Sequence, residues 1–388
     1  MSNSLRRNCF CYEVYTYSKK ALLLFYIITL FYLAVGLSYS QIAVLSMIGN
    51  VATLFFEVPT GIISDRWSRK KSLQFAEIMK LLSIILMLSG GDFLLLCLSS
   101  AIWGIADALQ SGADQAMIYE SFLEKEEYHT FLAKVYSRGY AVSAVATAVS
   151  PLMFSFNPYL PVIISMFFVV LSFGAVSCFL EISEEEKEST VSEETGFKKQ
   201  LIYVYHRGPL LKILLLMSFC TLLIMTVNSY TQPLLLNKGL SINILGVFMF
   251  LYNVIMSFGA KLATKVQIRG IQYLIACSLG VLAAMAGIMT LPLCLLMLSG
   301  YRLMNGMIWP VLTGKVNQML DSETRATVLS FQSMITSILG LIVDPVVGVA
   351  IDRIGLGTFY FAFGIGFTAV VVLLSVTKRH KKSQLQNR

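Results

Sequence analysis

The 388 residues read as an all-α polytopic membrane protein, with twelve transmembrane helices in two pseudosymmetric six-helix bundles. Three observations predict it. Charged residues make up 13% of the chain and apolar residues 56%, with a mean hydropathy of +0.71. A soluble domain is usually about 25% charged, so this chain lacks the polar surface to cover a water-facing fold. Uncharged runs recur from end to end, which excludes a soluble domain on a single anchor. Basic residues gather in alternate connections, as they do in helical membrane proteins. A closed β-barrel needs short alternating strands, and these runs are too long and too continuously apolar.

A spanning helix needs roughly 20 residues. The apolar runs place spans at 19–38, 41–64, 70–90, 93–122, 130–156 and 159–180. They continue at 209–236, 241–265, 270–289, 292–318, 325–350 and 355–377. The first run, from Ala21, has no small-residue cleavage site after it and reads as a span rather than a signal peptide. Odd-to-even joints such as Gly90-Gly91-Asp92 and Asn157-Pro158 are terse, and Lys238 and Arg353 are their basic residues. The opposite side carries Arg6, Arg7, Lys19, Lys20, Arg66, Arg69, Lys70, Lys71, Lys125, Lys198, Lys199, Arg207, Lys261, Lys265, Arg269 and the run Lys378 to Lys382. This asymmetry predicts a multi-pass cell-membrane protein with both termini and the even-to-odd loops in the cytoplasm.

The longest polar stretch lies at the middle. Glu184-Glu185-Glu186 with its Ser and Thr neighbours cannot bury itself and reads as a linker. Phe197 to His206 alternates basic and apolar residues, a pattern suited to a short helix lying on anionic lipid headgroups. The expected organisation is an N-terminal bundle over 1–180, a cytoplasmic linker over 181–208 and a C-terminal bundle over 209–388. The net charge of +8 does not indicate nucleic acid, because the charges sit in short loops rather than in a soluble basic patch. Most of the seven cysteines lie within apolar helices and read as small hydrophobes. Cys9-Phe10-Cys11 has no partner cluster, so no metal and no cofactor is expected.

The most specific segment runs from Glu57 to Lys71. Gly61, three residues, Asp65-Arg66, two residues, then Arg69-Lys70 resembles the major facilitator superfamily signature between the second and third helices. A worn copy follows the eighth span, with Ala260, Thr264 and Lys265 at the Gly, Asp and Arg positions. Glu323-Thr324-Arg325 at the eleventh span also resembles a recurrent pattern of the family. The resemblance covers essentially the whole chain. It implies a bacterial secondary transporter that works by alternating access around a midplane site. In the first signature Asp65 suits helix-end amides, and Arg66 and Arg69 suit acidic groups on neighbouring helices. Glu57, Gly61, Asp65, Arg66, Arg69, Glu120 and Arg138 are therefore expected to form a cytoplasmic gate.

Ionised groups within a span are costly and face a partner or a water-filled cavity. Asp107, Gln110 and Asp114 share one face of the fourth span, and Glu120 lies about 20 Å beyond Asp107. That depth makes Glu120 an acceptor for Arg66, Arg69 or Arg138. Arg302 in the tenth span sits at a depth similar to Asp107, and a pair between the two is expected to hold one state. Asp344-Pro345 adds a further midspan acid. Asp107, Asp114, Arg302 and Asp344 are the expected proton or substrate-coupling residues. The family resemblance assigns the pathway to spans one, four, seven and ten. That points to Tyr26, Thr29, Tyr32, Gln110, Asn228, Gln232, Asn305 and Trp309 as cavity walls.

The expected function is proton-coupled export of a small hydrophobic or amphipathic solute, similar to drug:proton antiporters, by a monomer embedded in lipid. The fifth span departs from those antiporters: their glycine-rich stretch is replaced by small residues ending in Pro151. The alternative is a carrier for a defined metabolite, sugar or peptide without proton coupling. A receptor built on a transporter scaffold is disfavoured by the modest linker and bare outer loops. A membrane enzyme is disfavoured because no close His, Cys or carboxylate cluster resembles a metal or nucleophile site.

Overall fold

A computed structural model describes residues 3–111, 113–122, 125–180, 208–265, 270–319 and 322–376. The helices are α1 (Asn3–Lys20), α2 (Ile28–Ala34), α3 (Tyr39–Trp67), α4 (Arg69–Met87), α5 (Phe93–Gln110), α6 (Ala113–Tyr119), α7 (Lys125–Phe156) and α8 (Leu160–Ser177). They continue as α9 (Gly208–Asn237), α10 (Ile242–Ala263), α11 (Ile271–Ile288), α12 (Leu291–Met319), α13 (Ser322–Ile354) and α14 (Leu356–Val376). Among the described residues, eleven helical segments are long and apolar enough to cross a membrane. The twelfth, α4, has the length but carries Glu77 and Lys80 in its middle. Phe55, Leu94, Phe156, Phe167, Leu274 and Leu373 stand exposed, a surface that lipid solvates and water does not.

The chain divides into two compact units. The first holds α1 to α8 with Ile242–Phe250, the opening turns of α10. The second holds α9, α10 from Leu251 onward, and α11 to α14. The expected linker lies outside the described residues except Gly208, which begins α9.

The units repeat the same local devices. Gly36-Leu37-Ser38 after α2 and Gly239-Leu240-Ser241 after α9 are the same tripeptide. Each glycine takes a left-handed φ, 93° and 92°, that a side chain would disfavour. Leu37 N then donates to Tyr32 O and Leu240 N to Leu235 O, both at 3.0 Å, closing the helix end. Ser38 starts α3 with a capping box: Gln41 N donates to Ser38 Oγ and Ser38 N to Gln41 Oε1. Ser241 precedes α10 without a side-chain cap bond.

Small residues bring helices close. A Cβ on Gly104 of α5 would strike the Gly49 carbonyl oxygen and the Ala52 methyl of α3. A Cβ on Gly306 of α12 would strike the Met256 carbonyl oxygen of α10 in the same manner. Close backbone approach of this kind is how helices pack tightly where lipid offers no hydrophobic drive between them.

The first span corrects the sequence reading. Helix begins at Asn3 rather than near residue 19, and it is interrupted between Lys20 and Ile28 by a 3-10 turn, Leu23–Tyr26. The interruption contains neither proline nor glycine, and its cause is tertiary. Leu24 N donates to Ser165 Oγ, Ser150 Oγ donates to Leu23 O, and Tyr26 Oη donates to Lys20 O, at 2.9–3.0 Å. Backbone groups freed within a bilayer must find such substitutes. The fourth span is also divided, α5 ending at Gln110 and α6 starting at Ala113.

Candidate functional site

In the first unit α1, α4 and α5 bring a charged network together. Lys80 Nζ donates to Gln110 Oε1 at 2.5 Å and lies 3.3 Å from Asp107 Oδ1. It also lies 5.4 Å from the centre of the Trp103 ring, whose indole N–H donates to Asp107 Oδ2 at 3.0 Å. The Gln110 amide turns its other end to Glu77 Oε1 at 3.2 Å and to the Tyr15 hydroxyl. Gln110 thus gives its oxygen to a cation and its N–H groups to oxygens, the one orientation that satisfies both. Glu77 and Lys80 are almost fully buried at 2% and 3% exposure, while the Asp107 side chain is 45% exposed. One turn along, Lys19 Nζ lies 3.2 Å from Asp114 Oδ2 and 3.4 Å from Tyr15 Oη. Tyr15 therefore joins the two pairs.

At the Arg69 end of the same unit, Arg69 pairs with Glu120, and Arg138 Nη1 lies 3.2 Å from Glu13 Oε1. Lys70 Nζ donates to Phe179 O and Arg7 Nε to Cys178 O, both at 2.8 Å, which occupies carbonyls at the end of α8. Buried Asn8 completes this closure by bonding both the N–H and the carbonyl of Leu180. Gly61, Asp65 and Arg66 lie in α3, but their side chains are outside the described residues. Glu57 is exposed.

The second unit is built differently. Arg302 of α12 donates from Nη1 to Asn228 Oδ1 at 3.1 Å and from Nη2 to Asn253 Oδ1 at 2.6 Å. Its guanidinium carbon stands 4.6 Å from the centre of the Tyr252 ring. Arg302 and Asp107 thus each find partners within their own unit. Asp344 is half-buried beside Gly340 and Leu222, with no ion-pair partner among the described residues.

Of the expected cavity residues, Thr29, Tyr32, Gln110, Gln232 and Asn305 are buried, and Tyr26, Asn228 and Trp309 are partly exposed. Sequence reasoning missed Tyr15, Lys19, Glu77 and Lys80. Lys19 reads as an orienting loop charge when the span is started too late. Glu77 and Lys80 carried a usable signal: a carboxylate and an ammonium three residues apart inside an apolar run. Among the described residues no group of three or more His, Cys, Asp and Glu side chains is placed to hold a metal ion.

A polytopic helical fold in two units, with ionised side chains buried inside its spans, defines a membrane solute transporter. The Major Facilitator Superfamily profile matches residues 9–343, and the chain belongs to that family. An MFS-type transporter of Bacillus subtilis (strain 168), YxaM, is 20% identical over 364 residues, 89% of each chain. Among solved structures, nucleoside transporter NupG aligns with a TM-score of 0.73 at 13% identity, over 97% of this chain and 98% of that one. A D-xylose-proton symporter aligns at 0.68 and 14% identity, over 95% and 96%. A bacterial homolog of the human lysosomal transporter Spinster also gives 0.68 and 14%, over 97% and 96%. These structural likenesses establish the fold, and the chain is a multi-pass secondary transporter.

Proposed function

We propose that the chain is a proton-coupled transporter that exports a small amphipathic solute by alternating access, with Asp107 as the coupling acid. The observation that carries this reading is the charge composition of the network in the first unit. Glu77, Asp107 and Asp114 face two ammonium groups, Lys19 and Lys80. An unmatched negative charge inside a lipid-embedded bundle is costly, and a bound proton removes it. Asp107 is the acid with access, since its side chain is half open while its partner Lys80 is buried. A proton on Asp107 weakens its hold on Lys80. That leaves the Gln110 oxygen as the main partner of Lys80, and it loosens α5 from α4. Asp114 with Lys19 offers a second place for the proton on the same path. Arg69–Glu120, with Asp65, Arg66 and Arg138 nearby in sequence or depth, would latch the cytoplasmic face, the termini lying on that side.

The second reading, a carrier for a defined metabolite, sugar or peptide without proton coupling, draws support from the hydrogen-bonding character of both sites. The names of similarly folded proteins, a nucleoside transporter and a D-xylose-proton symporter, favour a defined polar solute, and the second of them favours proton coupling. The experiment is flux into proteoliposomes under imposed pH and voltage gradients, with amphipathic dyes, nucleosides and pentoses as the panel. Asp107→Asn is expected to lower gradient-driven flux by about tenfold or more while solute exchange without a gradient persists. Undiminished driven flux in Asp107→Asn sinks the coupling role. Wild-type flux that ignores collapse of the pH gradient selects the carrier reading.

A further inference from the structure

We propose that Arg302 is an anion-binding subsite, and that the transported solute carries a carboxylate or phosphate group. This inference rests on the reading of the chain as a solute transporter and narrows its substrate class. The argument begins with cost. A guanidinium stays charged at any accessible pH, so it cannot escape burial in a span by losing its proton. In the first unit every cation of the network has a carboxylate within 3.3 Å. Arg302 has none among the described residues, and both groups it bonds are neutral amide oxygens.

The partners hold the group without neutralising it. Asn228 takes one N–H of Nη1, Asn253 takes one of Nη2, and the Tyr252 ring supports the flat face. A guanidinium has five N–H groups, so three remain uncommitted. One is the Nε–H, which is buried and has no hydrogen-bond partner among the described residues. A buried donor left unmade is costly, and a charged one more so. Two amide oxygens, an aromatic face and a rigid helix therefore fix the fork with donors to spare. That is the arrangement a bidentate oxyanion completes. A neutral solute would satisfy a donor and leave the charge. An amine would add to it. Asn305 and Trp309, three and seven residues on, share this face of α12, so the remainder of the solute would lie against an amide and an indole.

The test is thermal unfolding of the purified full-length chain in a neutral, phosphate-free detergent. The probes are benzoate, octanoate and phenyl phosphate, each beside its uncharged counterpart benzamide, octanamide or phenol. At least one anion is expected to raise the unfolding temperature in a saturable way, and its counterpart to leave it unchanged. Arg302→Gln should weaken that anion by about tenfold or more, and Arg302→Lys should retain part of the shift. Equal protection by charged and uncharged partners overturns the proposal. So does anion protection that survives Arg302→Gln at wild-type affinity, or an absence of protection by every anion. Protection by phosphatidylglycerol alone would assign the group to a lipid headgroup and overturn the solute assignment. If Arg302→Gln does not fold, the wild-type preference for anion over counterpart still decides. The measurement uses no gradient, so a failure of proton coupling in vesicles and a failure here are separate results.

Discussion

The two units share a plan and differ in how each treats a positive charge. Both end their first and seventh spans on Gly-Leu-Ser, and both cross a pair of helices at a glycine that admits no Cβ. Inside that common frame, Lys80 is answered by Asp107 and by a glutamine that also reaches Glu77. Arg302 is answered by two asparagines and a tyrosine ring. The first arrangement is closed on itself, with ammonium set against carboxylate and an amide bridging them. The second has neutral partners and no carboxylate beside the guanidinium among the described residues. Helix packing can thus be kept by small residues while the chemistry carried on the same helices diverges.

The largest expected effect tests the shared frame. Gly104→Leu and Gly306→Leu should each abolish monodisperse protein on size-exclusion chromatography. Overpacking typically costs about 1–3 kcal/mol, and more where backbone must move apart. If one variant folds normally, the two crossings are not equivalent and the common plan fails on that side.

The next effect tests the difference. Lys80→Met should destabilise the chain by about 2 kcal/mol in unfolding experiments, because it strands the buried Gln110 oxygen and leaves half-exposed Asp107 without its cation. Lys80→Met combined with Asp107→Asn should recover part of that loss. Arg302→Met should cost less than about 1 kcal/mol, since its partners are neutral and keep other options. Equal losses for Lys80→Met and Arg302→Met would erase the distinction drawn between the units.

The smallest effect converts one unit toward the other. Asn228→Asp places a carboxylate beside Arg302 and should change stability by no more than about 1 kcal/mol, as desolvation offsets the new charge pair. The same variant should lose the anion-induced shift in unfolding temperature, because the guanidinium is then neutralised from within. Retention of the full shift would mean that net charge at Arg302 does not govern binding.

Much of the fold was legible in the sequence. The outer bounds of the spans from Tyr39 to Val376 fell within a few residues of the expected ones, since hydropathy changes sharply where the chain leaves lipid. The Arg69–Glu120 contact followed the same depth arithmetic. The first span was misjudged because Tyr12, Tyr15 and Lys19 look like an ordinary polar lead-in until α4 and α5 supply partners for them. Its interruption was illegible for a related reason. Ala21-Leu22-Leu23-Leu24 favours helix locally, and Ser150 and Ser165, more than a hundred residues away, bond the backbone groups that the break frees at Leu23 and Leu24.

The sequence by itself determined that this protein is a twelve-span transporter of the Major Facilitator Superfamily. Lipid acts on each residue separately, so runs of apolar side chains and the signature loop carry that information locally. Only the tertiary structure decided which charge meets which. Partnership depends on how each helix is rotated and how deep it sits against neighbours distant in sequence, so Asp107 lies with Lys80 and Arg302 with Asn228 and Asn253.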